Sequence, residues 1–308
     1  MPQEAALHID SHDQVLAPVN LSGWQLTKEY WNVTKPGIMM SNAMTTFTGL
    51  WLASAGHFNV VTDLLTIVGS GLVVMSGCAL NNYMDRDIDP LMKRTQGRAL
   101  VTGTLQPWTV MALGTVLGVI GISLLGMFVN TISALMALIG LFFYVIVYTG
   151  MTKRTTSFST VVGSVSGAMP PLIGWTAITG SLDLSAWLLF FFMFLWQPPH
   201  FLALGMRRVK DYANARVPLL PVLYGFGITK RQIIGWTVAL FPVSLLLYGV
   251  HLVGIFYLVA ASVLGAIYIV KALKGLKATD DIAWANDMFK YSLIYLTAMS
   301  IAMVISPA

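Results

Sequence analysis

Leu64-Leu65-Thr66-Ile67-Val68-Gly69-Ser70-Gly71-Leu72-Val73-Val74-Met75-Ser76-Gly77-Cys78-Ala79-Leu80-Asn81-Asn82-Tyr83-Met84 is an uncharged run that leads straight into Asp85-Arg86-Asp87-Ile88-Asp89-Pro90. As a helix it rises roughly 30 Å, the thickness of a bilayer's hydrocarbon core. The stretch therefore reads as a transmembrane helix that delivers three acids to one membrane boundary. Comparable apolar runs recur at 36–56, 107–128, 131–149, 158–179, 184–205, 232–250, 252–272 and 288–306. With the first stretch they make nine spans. Lipid offers backbone groups no hydrogen-bond partner, so each must close its bonds within its own helix. The expected fold is an all-α, polytopic nine-helix bundle with a central cavity opening to the cytoplasmic side.

Composition excludes the soluble alternative. Only 10% of the 308 residues are charged, 56% are hydrophobic, and the mean hydropathy is +0.73. Soluble domains are roughly 25% charged, so a water-facing surface cannot be built from this chain. Cys78 is the single cysteine, which rules out an internal disulfide. The net charge of +5 would indicate a nucleic-acid partner only if the basic residues formed a soluble patch. They do not: all 18 lysines and arginines fall at alternate span ends. Lys28 and Lys35 precede the first span, and Arg86, Lys93, Arg94 and Arg98 follow the second. Lys153 and Arg154 follow the fourth, and Arg207, Arg208, Lys210, Arg216, Lys230 and Arg231 follow the sixth. Lys271, Lys274, Lys277 and Lys290 lie between the last two. The positive-inside rule then predicts a cytoplasmic N-terminus and an external C-terminus.

Residues 1–35 are polar, with Glu4, Asp10, Asp13 and Glu29 among few basic side chains. That is neither a transit peptide nor a cleavable signal. We read residues 1–35 as a polar cytoplasmic segment and 36–308 as the intramembrane domain of a multi-pass protein of a bacterial plasma membrane.

Asn81, Asp85 and Asp89 recur every four residues, so each step turns about 40° around a helix and all three share a face. Asp87 points elsewhere, and Pro90 disfavours helix beyond Asp89. Acids in a last helical turn meet the negative end of the helix dipole. The pair therefore needs a compensating cation, which nearby arginines and lysines or a magnesium ion could supply. The alternative is a solvated surface face. Ionisable clusters at membrane depth are rare, which favours function. Pro198-Pro199 in the sixth span is expected to kink or break its helix beside His200, and His200 alone reads more readily as a packing residue than as a substrate contact. Asp211 is the one acid in a basic stretch, and Lys153 and Arg154 stand at the same membrane side. Phe47 and Trp51, one turn apart, are candidate aromatic stabilisers of a cation. Gly114-x-x-x-Gly118 and Gly163-x-x-x-Gly167 predict close helix packing.

The stripe Asn81/Asp85/Asp89 resembles the first aspartate-rich motif of the UbiA-type intramembrane prenyltransferases. Val101-Thr102-Gly103, Pro198-Pro199-His200-Phe201 and Asp211-Tyr212 with Val217-Pro218-Leu219-Leu220-Pro221-Val222 are similar to the haem-modifying branch of that family. Ala215, four residues beyond Asp211, leaves the second acid pair incomplete, as suits that branch. Asn82 replaces the family's usual aspartate, and Ala99 a proline common in the branch. The resemblance implies transfer of a farnesyl group from farnesyl diphosphate to a vinyl group of haem B. It implies Asp85, Asp89 and Asp211 as catalytic, magnesium-holding residues. Asn81, Arg86, Arg98, Lys153, Arg154, His200 and Tyr212 become substrate contacts, with haem A synthase as a downstream partner. The competing readings are a prenyltransferase for a quinone or other aromatic precursor, and a membrane transporter. Confinement of the acid–base clusters to one face argues against the transporter.

Overall fold

A computed structural model describes residues 22–307. The expected segment 1–35 thus lies outside the described residues up to residue 21. Beyond it, where no helix was expected, Ser22 caps α1 (Gly23–Val33) through a reciprocal box with Gln25. Trp24 and Trp31 on α1 are exposed.

Eight segments are long and apolar enough to cross a membrane. They are α3 (Val60–Met84), α4 (Pro107–Phe128), α5 (Thr131–Phe142) with its extension to Thr152, and the α6–α7 pair (Ser159–Gly167, Met169–Thr179). The others are α8 (Leu184–Arg207), α11 (Gly225–Gly249), α12 (Ile255–Lys274) and α13 (Asp281–Ile305). The remaining expected span, α2 (Pro36–Ala53), is an 18-residue helix of lower hydropathy. The reason is visible in its contacts: Ser41, Asn42 and Thr45 line an internal cavity, and Thr46 bonds Ser70 inside the bundle. Its polar residues serve the interior, so the count of nine membrane crossings is not established by apolarity.

Side-chain caps begin these helices: Asn59 on α3, Asn130 on α5, Asp183 on α8 and Asp280 on α13 each accept from a first-turn N–H. Helices α11 and α13 start seven residues before the apolar stretches at 232 and 288. Those extra turns carry the charges that precede the apolar stretches and are tied together by Lys230 and Asp281 at 2.6 Å. Large apolar side chains remain exposed in stripes, such as Val259, Val263, Ile267 and Val270 on α12. A soluble protein does not show such patches; a lipid-facing helix requires them.

Helix α8 is the most buried span and packs against α6, α7, α11 and α13. The expected break at Pro198-Pro199 does not occur, and α8 runs unbroken through both prolines. Each proline removes one N–H, while neighbours hold the segment. Trp196 donates to the Ser292 carbonyl, and Gln197 donates to the carbonyls of Ser164 and Met193. Helix α13 returns to α2, where Trp51 donates to the Val304 carbonyl. The glycine patterns sit at close contacts as expected: Gly114 against Leu80, Gly118 against Ser76, Gly163 against Tyr148 and Gly167 against Gln197. The short helices α9 (Val209–Asn214) and α10 (Leu220–Leu223) follow α8.

Candidate active site

Helix α3 ends at Met84, with Asp85 as its C-cap, yet the four-residue rhythm persists: Asp85 N–H donates to the Asn81 carbonyl and Asp89 N–H to the Asp85 carbonyl, both at 2.9 Å. The stripe therefore reaches Asp89, which opens a single 3₁₀ turn, Asp89–Leu91. Asn81, Asp85 and Asp89 are all buried. Asn81 is a positioner: its amide donates to Asp85 Oδ2 at 2.9 Å and to Thr149 Oγ1 at 3.2 Å, and its oxygen accepts from Lys35 Nζ at 2.7 Å. Lys35 was missed because 46 residues separate it from Asn81; its one sequence signal is its place at the entry to α2. Its backbone is left-handed (φ 53°), a strained conformation for a non-glycine residue.

The cations sort into two groups. Lys153 Nζ bonds Asp85 Oδ2 and lines the cavity, and Arg98 Nη1 holds Asp89 Oδ2 at 2.6 Å. Both reach buried carboxylates. Arg154 instead forks onto the exposed Asp87, at 2.6 and 2.7 Å, and caps the Met84 carbonyl, with its Nη2 a further 3.9 Å from Asp85 Oδ1. Arg86 lies exposed over the Tyr83 ring, 4.3 Å from its centroid, and donates to the Tyr83 carbonyl. Nearby Arg154 holds the Asp87 carboxyl below its ordinary range, whereas burial raises Asp89, with Arg98 opposing.

Lys153 reaches Asp85 because residues Phe143–Thr152 form a π-helix, a wide turn that often marks functional positions. Its backbone i→i−5 bonding includes Lys153 N–H to the Tyr148 carbonyl, and the Thr149 side-chain hydroxyl donates to the Tyr144 carbonyl. Tyr144 and Tyr148 stack at 5.8 Å on the cavity wall.

The second connection closes over the first. Ile88 and Met92 pack with Ala215, Val217 and Leu219, and Tyr212 joins them. Asp211 accepts from the Lys93 N–H at 3.2 Å, so its carboxylate organises the loop after α3. Tyr212 lines the cavity, and burial raises its phenol.

Below this polar mouth lies a cavity of about 470 Å³. Lys153, Tyr148 and Tyr212 stand at one end, Val73, Ala137, Met169 and Ile173 deeper, and Trp196, His200, Phe201 and Phe289 along a wall. Phe47 and Trp51 touch each other, 5.9 Å apart, and are absent from the lining. Among the described residues no three His, Cys, Asp or Glu side chains form a ready metal cluster. Asp85 Oδ1 and Asp89 Oδ1 are nonetheless buried with no hydrogen-bond partner. Buried carboxylate oxygens without partners are costly and invite a cation.

Residues 42–294 match the UbiA prenyltransferase family. The chain belongs to that family. It is 49% identical over 298 residues to a protohaem IX farnesyltransferase of Alkalihalophilus pseudofirmus, covering 95% of this chain and 93% of the relative. In fold it is similar to a digeranylgeranylglyceryl phosphate synthase structure (TM-score 0.77, 18% identity, 91% of this chain and 98% of that one). It is also similar to a UbiA homologue from Archaeoglobus fulgidus bound to GPP and Mg²⁺ (TM-score 0.58, 11% identity, 90% and 99% covered). This UbiA-family chain is thus a multi-pass membrane prenyltransferase whose polar mouth and apolar cavity adjoin.

Proposed function

We propose that the chain transfers the farnesyl group of farnesyl diphosphate to a vinyl group of haem B, yielding haem O. The observation that carries the reading is the pair of buried oxygens on Asp85 and Asp89 that accept no hydrogen bond, beside Lys153, which bonds Asp85 and lines an apolar cavity, in a chain close in sequence to a protohaem IX farnesyltransferase.

The donor set is all oxygen, which suits magnesium, an ion that keeps waters and substrate phosphates as its other ligands. Asp85 and Asp89 would hold it, and Asp211, which ties down the loop after them through the Lys93 N–H, would complete the acidic rim. Magnesium there supplies positive charge against a departing diphosphate. Lys153 retains two N–H donors beyond its bond to Asp85 and faces the cavity, so it grips the diphosphate from the protein side. As the allylic C–O bond breaks, the electron pair leaves with the diphosphate. The terminal vinyl carbon forms the new C–C bond, water captures the resulting cation beside the porphyrin, and one proton is released. Tyr144, Tyr148 and the apolar lining keep water from the allylic cation before that bond forms. The basic mouth faces the cytoplasm of a bacterial plasma membrane, and residues 36–308 act as one intramembrane domain. A haem A synthase takes up the product.

Mass spectrometry of haem from cells with and without the protein tests the reading: a farnesyl increment is expected, and its absence overturns it. Asp85→Asn and Asp89→Asn are expected to insert and fold but to lose turnover. Supplying labelled farnesyl diphosphate with haem B or with 4-hydroxybenzoate separates haem from aromatic-acid acceptors.

A further inference from the structure

His200 lies on the cavity wall about 10 Å along α8 from its C-terminal end, at 1.5 Å per residue. Both faces of its ring are covered: Trp196 stacks at 4.8 Å and Phe289 at 4.7 Å. The ring can neither tip nor rotate freely, so it presents an edge. On that edge Nδ1 meets Ser292 Oγ at 2.7 Å, while Nε2 has no hydrogen-bond partner among the described residues. Ser292 has one hydroxyl hydrogen and gives it to the Phe289 carbonyl, also at 2.7 Å. With that bond made, Oγ accepts from His200, and the tautomer that fits has the proton on Nδ1. A neutral imidazole with Nδ1–H has a bare lone pair on Nε2. Metal-ligating histidines are oriented in this way, with the non-ligating nitrogen donating to a fixed acceptor.

We propose that His200 Nε2 is the axial ligand to the iron of the porphyrin substrate, with Ser292 fixing the ligating tautomer. This rests on the haem reading above and adds the group that recognises the metal. Edge-on approach of Nε2 places the porphyrin plane across the imidazole plane, so the macrocycle lies along the wall while its vinyl groups reach the cavity interior. The aromatic stack then serves to hold a ligand rather than only to fill space.

The test uses purified full-length protein titrated with haem B and, separately, with metal-free protoporphyrin IX, following the Soret band and affinity. Wild type is expected to bind haem at least about tenfold more tightly than the metal-free porphyrin, with a Soret spectrum typical of histidine ligation. His200→Ala is expected to bind both porphyrins equally and to regain the histidine-like spectrum when imidazole is added. Ser292→Ala should weaken haem binding by about tenfold while leaving the metal-free porphyrin unaffected. Unchanged helical circular dichroism and monodisperse elution in detergent show that both variants fold. Should His200→Ala misfold, the Ser292→Ala comparison carries the test. Equal wild-type binding of both porphyrins, or an unaltered spectrum in folded His200→Ala, overturns iron ligation and leaves the haem reading standing. Failure of wild type to bind either porphyrin overturns both.

Discussion

Burial acts in opposite directions on two titrating groups, Asp89 and Lys35, that border the proposed diphosphate site. Desolvation raises the Asp89 carboxyl, with Arg98 opposing it, and lowers the Lys35 ammonium to about 8. Asp89 must be ionised to hold a cation, and Lys35 must be protonated to add positive charge behind Asn81. The acid limb of kcat/KM for farnesyl diphosphate should therefore lie above the usual carboxylate range. The alkaline limb should fall from about pH 8, as Lys35 loses its proton. Lys35→Arg keeps its charge and should move the alkaline limb upward; an unmoved limb would remove Lys35 from the site. Removing a cation separates the two cation groups by stability as well. Lys153→Met strands a buried carboxylate and should cost about 3–5 kcal/mol if Asp85 stays ionised. Arg154→Met breaks its close pair with the exposed Asp87 and should cost less than Lys153→Met by thermal unfolding. The stripe Asn81/Asp85/Asp89 was legible in the sequence because a four-residue spacing survives in both helix and turn. Which cations were already engaged was not legible, since Asp87 claims Arg154 across 67 residues and Tyr83 holds Arg86 through a local contact.

At the scale of helices, lipid made the spans readable: a segment without internal backbone bonds cannot cross, so length and apolarity suffice. Where a helix faces a cavity instead, as α2 does, polarity rises and the hydropathy signal weakens. The π-turn at the end of α5 has no pattern that distinguishes it from an ordinary helix, although it decides where Lys153 points. Glycines four residues apart announced the α3–α4 contact. The close backbone approach of α2 on α7 joins single glycines on different helices and left no spacing to detect. A Cβ at Gly174 would stand 2.1 Å from the Thr46 carbonyl oxygen, and one at Gly49 would stand 2.1 Å from that of Pro171. One substitution should thus change sign with position. Gly235, inside α11 with no atom near its missing Cβ, should gain up to about 1 kcal/mol as alanine. Gly174→Ala forces backbone apart and should lose about 1–3 kcal/mol or more. Thermal unfolding in one detergent reads both, and stabilisation at Gly174 would refute the close α2–α7 contact.

For the whole molecule, side-chain contacts bring the ends of α3, α5 and α8 and the start of α2 to one face, through Lys35, Asn81, Lys153 and the Lys93–Asp211 bond. The starts of α11 and α13 meet through Lys230 and Asp281. These are the chain ends where the basic residues collect, so charge and packing agree on which ends belong together, and the positive-inside rule names that face cytoplasmic. The orientation is testable because the sole cysteine, Cys78, is buried. Gly97→Cys, exposed in the loop after α3, should react with a membrane-impermeant maleimide in inverted vesicles and stay silent in intact spheroplasts. Ser181→Cys, exposed between α7 and α8, should do the reverse. The Ser181 site tests more than sign, because it lies two helices beyond the π-turn and depends on every intervening crossing. If both cysteines react from the same side, the α4, α5 and α6–α7 segments cannot all cross, and the cavity they enclose could not lie within the bilayer.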